Sequence, residues 1–466
     1  MLWRFGERIT AQLVSFVVSV VLARILMPED YGIVAIVNIF IAIANIFVVS
    51  GLGTALIQKK EADEVDFSTM FWANLFLSVC LYAVVFFCAP MIAAFYKMPI
   101  LAPVLRVFGL KLPISSINSI QNAYVSRRMD FKKFFFSTII GTIVSAVVGI
   151  AMALYGFGVW ALIAQTMTNS VVDTLVLFLT IGWRPKILFS RKAAAPLIRY
   201  GWKILATDLI GTIFNHLNAF IIGKKYTSSD LAFYTQGKKM PELITNNISS
   251  TLCTVLFPAM SLSDGVEQIQ QIRRKSLKML EYVLFPMMLG MTVVADKMIL
   301  VLLTEKWMFA VPYVRITCIG TVIGILGTTL IQEVKAIGRS DITLKMELIK
   351  KPIFLVIALI AMQFGVMAIA YTMIINEVIA FTFNVMPVRK YIGFDFKQHI
   401  LDLLPNLAIT LIMCLPVYWL GTVIKNDLIC LVAQVLTGGV IYLALSVITR
   451  NESFLYLLDM AKKLKK

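Results

Sequence analysis

Basic, acidic and amide side chains recur at helical spacing within stretches of the chain that are otherwise apolar. One stripe, on the segment near residues 5–26, consists of Arg4, Arg8, Gln12, Ser15 and Ser19. Two later segments carry the stripes Lys203, Thr207, Asp208, Gly211, Asn215 and Asn218, and Lys238, Glu242, Asn246 and Ser249. Cations partly shielded from water form strong charge-assisted bonds with anions, and hydroxyls and amides hydrogen-bond polar ligands. These faces therefore indicate a polar cavity for an anionic ligand.

The stripes belong to a chain whose composition is that of an integral membrane protein. Of its 466 residues, 59% are hydrophobic and 15% are charged, and the mean hydropathy is +0.85. A helix crosses the hydrocarbon core of a bilayer with about 20 residues. The apolar segments between Gly, Pro and charged residues predict fourteen such spans, near residues 5–26, 32–56, 69–96, 101–126, 133–154, 158–181, 197–223, 231–260, 274–303, 311–335, 342–364, 366–391, 399–421 and 427–449.

Lysine and arginine predict the orientation of these spans. Most of the 43 basic residues fall in alternate connections and in the two termini, among them "SRRMDFKK", "IRRKSLK" and the tail "DMAKKLKK". Because cationic segments are retained in the cytoplasm, both termini are predicted to be cytoplasmic. The net charge of +17 follows largely from this topology, so it does not indicate nucleic-acid binding. The tail is expected to lie on anionic lipid headgroups.

The chain repeats its own pattern after about 200 residues. The hairpin "ARILMPEDYGIVA" returns as "GKKYTSSDLAFYT", with Asp30 aligned to Asp230, and "APVLR" around Arg106 returns as "VPYVR" around Arg315. Six spans in each repeat give both halves the same orientation, which predicts two six-helix lobes in a parallel internal repeat. The predicted divisions are 1–190 for the N-lobe, 191–395 for the C-lobe, 396–450 for two C-terminal helices and 451–466 for a basic cytoplasmic tail.

The repeated hairpin also predicts how two helices begin. Pro28 suits the first turn of the second span, with Glu29 and Asp30 at the positive end of its dipole. In the second copy, Ser228 or Ser229 is expected to cap the eighth span, with Asp230 in its first turn.

The segments "VLARILMPEDYGIVAIVNIF" and "SGLGTALIQ" strongly resemble the N-terminal signature of the polysaccharide transport family. This family is the O-antigen, capsule and teichuronic-type flippase branch of the multidrug/oligosaccharidyl-lipid/polysaccharide (MOP) exporter superfamily. The stretch from "FIIGKKYTSSDLAFYTQGKK" to "LFPAMS" resembles the family's seventh and eighth helices, with Ala232 where relatives often have Gly. The resemblance covers roughly residues 5–450.

The resemblance implies a MATE/MOP-like fold with two lobes around a central cavity, and two added helices. It also implies a flippase that translocates undecaprenyl-pyrophosphate-linked oligosaccharide repeat units, or a related polysaccharide precursor, across the bacterial cytoplasmic membrane by alternating access. We expect a monomer that contacts membrane lipids and works with a polysaccharide polymerase or biosynthesis complex. No catalytic residues, bound cofactor or metal are expected, because the chain has two histidines and no CxxC pair.

A pyrophosphate needs several cations around it, so the basic residues inside the spans are the candidate ligands. With nearby amides, the candidate substrate-binding residues are Arg8, Lys203, Lys238, Lys239, Arg4, Arg106, Lys111, Arg315, Asn215, Asn218 and Asn246. Uphill transport needs a gradient of H⁺ or Na⁺, and the candidate titrating residues are Asp208, Glu242, Glu333 and Glu377. Interhelical ion pairs, such as Lys239 with Glu242 or Lys203 with Asp208, and snorkelling of Arg4 are the structural alternatives.

Two other functions are weighed against the flippase. A MATE-like multidrug/cation antiporter would offer acids to cationic drugs, whereas the first lobe has few intramembrane acids, mainly Glu7 and Asp173. A membrane-embedded polysaccharide-modifying enzyme would need sizeable outer loops or a reactive histidine in a span. The predicted outer loops are short, and His216 lies off the polar face of its segment.

Overall fold

The computed structural model describes residues 2–49, 53, 56–57, 59, 62–128, 130–263 and 265–464. These residues form helices, and no strand occurs among them, so the predicted all-α fold is confirmed. The chain divides into two compact units, Met1–Ala232 and Phe233–Lys466, called unit 1 and unit 2 below. The units are defined by contacts within the structure, whereas the lobe boundaries given above come from the repeat and stay predictions.

Unit 1 contains eight helices in its described part. They are α1 (Leu2–Ile25), α2 (Pro28–Val49), α3 (Glu64–Tyr96), α4 (Leu101–Gly109), α5 (Lys111–Arg128), α6 (Phe131–Leu154), α7 (Val159–Thr180) and α8 (Arg191–Lys225).

Helix α9 (Ser228–Ser261) begins in unit 1 and continues into unit 2. The later helices are α10 (Val266–Leu303), α11 (Val311–Ala336), α12 (Ser340–Ala361), α13 (Val366–Tyr391), α14 (Phe396–Val423), α15 (Asp427–Ile448) and α16 (Glu452–Leu464). A 3-10 helix, Glu305–Ala310, joins α10 to α11.

Ten helices in the described part are long and apolar enough to cross a membrane. They coincide with ten of the fourteen predicted spans, while the first, fourth, eighth and eleventh spans stay predictions. The fourth span, expected as one helix, is divided at Leu110 into α4 and α5. The ninth begins at Val266 rather than at residue 274, because the charged segment before the apolar run is helical as well.

The two copies of the repeated hairpin begin their helices with the same hydrogen bond. In the first copy the Met27 amide donates to Asp30 Oδ2 at 3.2 Å, and in the second the Thr227 amide donates to Asp230 Oδ2 at 3.1 Å. Pro28 is the first residue of α2, as expected. The expected cap at Ser228 or Ser229 is wrong, because Thr227 Oγ1 accepts the Asp230 amide at 3.1 Å and so caps α9.

The repeat is visible again at the beginnings of α7 and α13. Gly158 precedes α7 with φ +54°, and Gly365 precedes α13 with φ +104°. A side chain is rarely tolerated at such angles, so glycine allows the sharp entry into each helix. The sequences "FGVWALIA" and "FGVMAIA" begin at these two points.

Each unit has its own buried apolar core. In unit 1, Phe67, Tyr124 and Trp183 pack together, with the Tyr124 and Trp183 rings stacked at 5.7 Å. In unit 2, a second core joins α9, α11 and α13 and includes Leu330 and Val388. Many large apolar side chains point outward instead, such as Phe76 and Leu415, which is the arrangement expected of helices that face lipid.

Candidate functional site

The predicted polar stripe on α9 is only partly buried. Lys238 forms an ion pair with Glu242, with Nζ and Oε1 3.0 Å apart, and its Nζ lies 5.2 Å from the centre of the Tyr234 ring. Lys239 and Asn246 are exposed. The sequence suggested an ion pair of Glu242 with Lys239 as the alternative to ligand binding. The structure shows an ion pair of Glu242 with Lys238.

The polar stripe on α8 is also exposed or half-buried at the residues that the structure describes. Asp208 and Asn215 are exposed, and Asn218 is half-buried. Part of α8, Ile204–Lys225, is apolar enough to cross a membrane. Because an acid and two amides would be unfavourable against lipid at that depth, this face is expected to contact water or protein. Lys203 lies in the same helix, and Arg4 and Arg8 lie in α1, but their side chains lie outside what the structure describes.

Arg106 and Arg315, which the repeat aligns, make corresponding contacts. Arg106 Nε donates to the Phe86 carbonyl at 3.4 Å, and its guanidinium lies 4.5 Å from the centre of the Phe86 ring. Arg315 Nε donates to the Thr292 carbonyl at 3.2 Å, and Nη2 pairs with Asp296 at 2.6 Å. Each arginine therefore ties its helix to the preceding long helix, α3 or α10. Such contacts support a structural role for both.

The remaining candidates, Lys111, Glu333 and Glu377, are not members of the α8 and α9 stripes. Lys111 Nζ lies 5.4 Å from the centre of the Phe108 ring. Glu333 is fully buried and pairs with Arg273 at 2.8 Å. The Glu377 carboxylate packs against Gly324, with Oε2 2.7 Å from the position that a Cβ would take there. No group of three or more His, Cys, Asp or Glu side chains that could hold a metal occurs among the described residues.

Sequence reasoning missed a network of charges at the beginnings of α10 and α14. Arg274 Nε and Nη2 bond the two carboxylate oxygens of Asp402 at 2.5 and 2.7 Å. Lys278 Nζ lies 3.2 Å from Asp402 Oδ1 and 2.6 Å from Glu452 Oε2. Glu281 is buried one turn further along α10. The segment "IRRKSLK", which includes Arg274 and Lys278, was interpreted only as a cytoplasmic connection. Glu281 could have been found as an acid at the edge of an apolar segment.

A second missed group is a partly buried amide network in unit 1. Asn118 Nδ2 donates to Asp173 Oδ2 at 2.8 Å and to Thr174 Oγ1 at 3.3 Å, and Asn122 donates to Asn118 Oδ1. Asp173 thus joins α5 to α7 through a neutral partner rather than through a cation.

Comparison with known proteins adds to these observations. Residues 21–312 match the model of a family described as polysaccharide biosynthesis protein. The succinoglycan biosynthesis transport protein ExoT of Rhizobium meliloti is 26% identical over 459 residues, which cover 96% of this chain and 92% of ExoT. The lipopolysaccharide biosynthesis protein WzxC of Escherichia coli is 24% identical over 422 residues, covering 88% of this chain and 84% of WzxC.

A solved structure shares the fold over nearly the whole chain. The lipid II flippase MurJ, in an inward closed conformation, superimposes with a TM-score of 0.79 and 15% sequence identity. The match covers 97% of this chain and 99% of MurJ. It confirms the predicted MOP-type helical architecture, while at this identity the likeness concerns the fold alone.

Proposed function

Because the chain belongs to the polysaccharide biosynthesis protein family, we propose that it is a flippase that carries a lipid-linked oligosaccharide across the cytoplasmic membrane. ExoT is named as a transport protein and MurJ as a lipid II flippase, which supports transport over the drug-antiporter and modifying-enzyme interpretations. The repeat unit is expected to be carried on undecaprenyl pyrophosphate and moved by alternating access. The distribution of Lys and Arg supports the proposal that both termini are cytoplasmic.

The uncovered polar stripes of α8 and α9 carry this proposal. Lys239, Asn215 and Asn246 are exposed on helices that the sequence predicts to span the membrane, where a charge against hydrocarbon costs about 2.5–3.5 kcal/mol on insertion scales. A water-filled pathway removes that cost. Along such a pathway the cations bind the pyrophosphate, with Arg4, Arg8 and Lys203 as further ligands, and the amides bond the sugar hydroxyls.

The test replaces the two adjacent lysines and measures export. In cells that lack their own flippase, the double variant Lys238→Gln/Lys239→Gln should abolish surface polysaccharide while the protein stays inserted at wild-type abundance. Lys425→Gln, which removes one exposed lysine between α14 and α15, is the matched control and should export normally. Normal surface polysaccharide from the double variant would overturn the assignment of these lysines.

A single carboxylate variant distinguishes substrate binding from ion pairing at Lys238. Glu242→Gln removes the partner of Lys238 but keeps the lysine. If Lys238 binds pyrophosphate, this variant retains more export than Lys238→Gln. If the two variants lose export equally, the ion pair rather than the cation is what transport requires.

The energy source is proposed to be a gradient of H⁺ or Na⁺, with Asp208, Glu242, Glu333 and Glu377 as the candidate coupling groups. The exposure of Asp208 favours it over Glu333, whose buried pair with Arg273 suits packing. In proteoliposomes, Asp208→Asn should lose the dependence of flipping on an imposed pH or Na⁺ gradient, while Glu333→Gln should lower stability first. A monomer in contact with a polysaccharide polymerase or biosynthesis complex is the proposed assembly.

A further inference from the structure

A charged cavity of about 400 Å³ lies in unit 2, at the beginnings of α10 and α14. Arg274, Lys278 and Glu281 line it from α10, and His399 and Asp402 line it from α14. The volume is in the range of ordinary small-molecule sites. These residues are separate from the α8 and α9 stripes on which the proposed function depends.

The cavity lies where two helices change from polar to apolar. α10 has 38 residues, about 57 Å at 1.5 Å per residue, which exceeds the roughly 30 Å core of a bilayer. Its charged part runs from Val266 to Glu281 and its apolar part follows from Tyr282. α14 is likewise polar up to Asp402 and largely apolar afterwards. This boundary is the depth of lipid headgroups, on the side that the charge pattern predicts to be cytoplasmic.

Three cations line the cavity. Arg273 pairs with Glu333, and the other two share one acid. Arg274 and Lys278 both bond Asp402, and the second acid on Lys278, Glu452, is 80% exposed. A guanidinium has five N–H donors and an ammonium has three, and the bonds to Asp402 and Glu452 use only part of them. The Arg274 side chain is itself 49% exposed. Donors therefore remain for a phosphate group at this position.

Two polar atoms that belong to the lining of the cavity are buried without a hydrogen-bond partner among the described residues. Glu281 is 1% exposed, and its Oε2 has no hydrogen-bond partner among the described residues. The side chain of Asn406 interacts with the same carboxyl group. His399 Nε2 is also buried without a partner in the described part of the chain. A buried carboxylate oxygen without a donor costs free energy that a bound N–H group would recover.

We propose that this cavity binds the headgroup of an amine-bearing phospholipid, with its ammonium on Glu281 and its phosphodiester on Arg274 and Lys278. Lys278 and Glu281 are three residues apart on α10, so their side chains lie on the same face of the helix. The terminal torsion of a carboxyl group turns readily, so Oε2 reaches an entering donor. The acyl chains lie along exposed apolar side chains of α14, such as Leu401 and Leu404.

The alternatives differ in what they offer Glu281. A phosphatidylglycerol headgroup has no cation for this carboxylate, and the methylated ammonium of phosphatidylcholine has no N–H to donate to it. Free phosphoethanolamine has the same ammonium group and a phosphate monoester in place of the phosphodiester, but no acyl chains for the apolar rim. The site therefore predicts a preference order that separates these ligands.

Lipid retention by the purified full-length protein tests the proposal without any transport measurement, so its outcome is independent of the proposed function. Native mass spectrometry in detergent, with phosphatidylethanolamine, phosphatidylcholine or phosphatidylglycerol added separately, should show at least tenfold tighter binding of phosphatidylethanolamine. Glu281→Gln should remove this preference, whereas Glu305→Gln, which removes an exposed acid of the same unit, should keep it. Equal retention of the lipids by the wild type would overturn the proposal.

Two further measurements keep the test decisive if Glu281→Gln proves unstable. Arg274→Gln alters a half-exposed side chain and should weaken retention of phosphatidylethanolamine and phosphatidylcholine alike, because both have the phosphodiester. Unchanged retention would contradict the assigned phosphate site. Water-soluble O-phosphoethanolamine should raise the midpoint of thermal unfolding far less than the lipid at equal concentration. An equal rise would identify a soluble ligand and reject the lipid.

Discussion

Unit 1 and unit 2 use charge differently, although the chain repeats the same six-span pattern. In the described part of unit 1, ion pairs such as Lys59 with Asp66 and Lys186 with Glu64 lie at or before the beginning of α3. In unit 2, ion pairs join one long helix to another, as between Arg273 and Glu333 and between Lys297 and Asp427. Among the ion pairs of the described residues, those that join two long helices thus lie in unit 2.

The aligned arginines show how such a difference arises. Arg106 and Arg315 both bond a carbonyl of the preceding long helix, but only Arg315 has an acid beside it. At the offset of 209 residues that aligns the arginines, Phe87 stands where unit 2 has Asp296. Both copies thus bond a carbonyl of the preceding helix, 20 residues before Arg106 and 23 residues before Arg315, while the acid belongs to one copy alone.

The largest expected difference between the units comes from the buried pair of Arg273 and Glu333. Arg273→Met leaves Glu333, which is fully buried, without its cation, and removing one partner of a buried pair costs about 3–5 kcal/mol. Thermal unfolding of the detergent-purified protein should show a large fall in the midpoint. Lys186→Met, which breaks an exposed pair in unit 1, should cost below about 1 kcal/mol. Equal losses would refute the comparison.

Close helix approach is a feature that both units share. A Cβ on Gly32 would lie 1.9 Å from the Ser228 carbonyl oxygen, and one on Gly237 would lie 2.6 Å from Tyr313 Cβ. Gly32→Ala and Gly237→Ala should each destabilise by about 1–3 kcal/mol, the usual range for overpacking. Gly211→Ala is the control, since no described neighbour lies within 4 Å of its Cβ. If Gly211→Ala loses as much stability as the other two variants, steric contact is not the explanation.

The aligned arginines give a smaller effect that separates charge from the shared backbone contact. Arg315→Gln should destabilise more than Arg106→Gln, because it also leaves Asp296 unpaired. The pair is nearly half exposed, so the difference should be at most about 1 kcal/mol. Asp296→Asn alone should reproduce the difference in unfolding midpoint. Identical midpoints for the two arginine variants would show that Asp296 contributes nothing.

The smallest effect concerns the hairpins, where the two copies should behave alike. Asp30→Ala and Asp230→Ala each remove a capping carboxylate that accepts a backbone amide, at a cost of about 0.5–1 kcal/mol. Thr227→Ala should match Asp230→Ala, since these side chains bond each other at 2.7 Å. A clearly larger loss from one hairpin, measured by the same unfolding assay, would show that the repeat is not equivalent there.

Local patterns were sufficient for much of the fold. The helix beginning at Pro28, the shared role of Asp30 and Asp230 and the alignment of Arg106 with Arg315 were all readable from spacing along the chain. The cap at Thr227 was missed because several adjacent Ser and Thr residues are equally good caps in sequence. The break at Leu110 was missed although Gly109, Lys111 and Pro113 surround it, because glycine and proline also occur within continuous membrane helices.

Hydropathy and residue spacing along the chain were enough to predict the class, the spans, the duplication and the resemblance to polysaccharide transport proteins. Packing between the helices determines that Glu333 pairs with Arg273, and which polar side chains are exposed, such as Lys239 and Asn215. It also brought Arg274 to Asp402, 128 residues away. The physical reason is that helical periodicity fixes which residues share a face, whereas an ion pair depends on which neighbouring helix packs against that face and at what height.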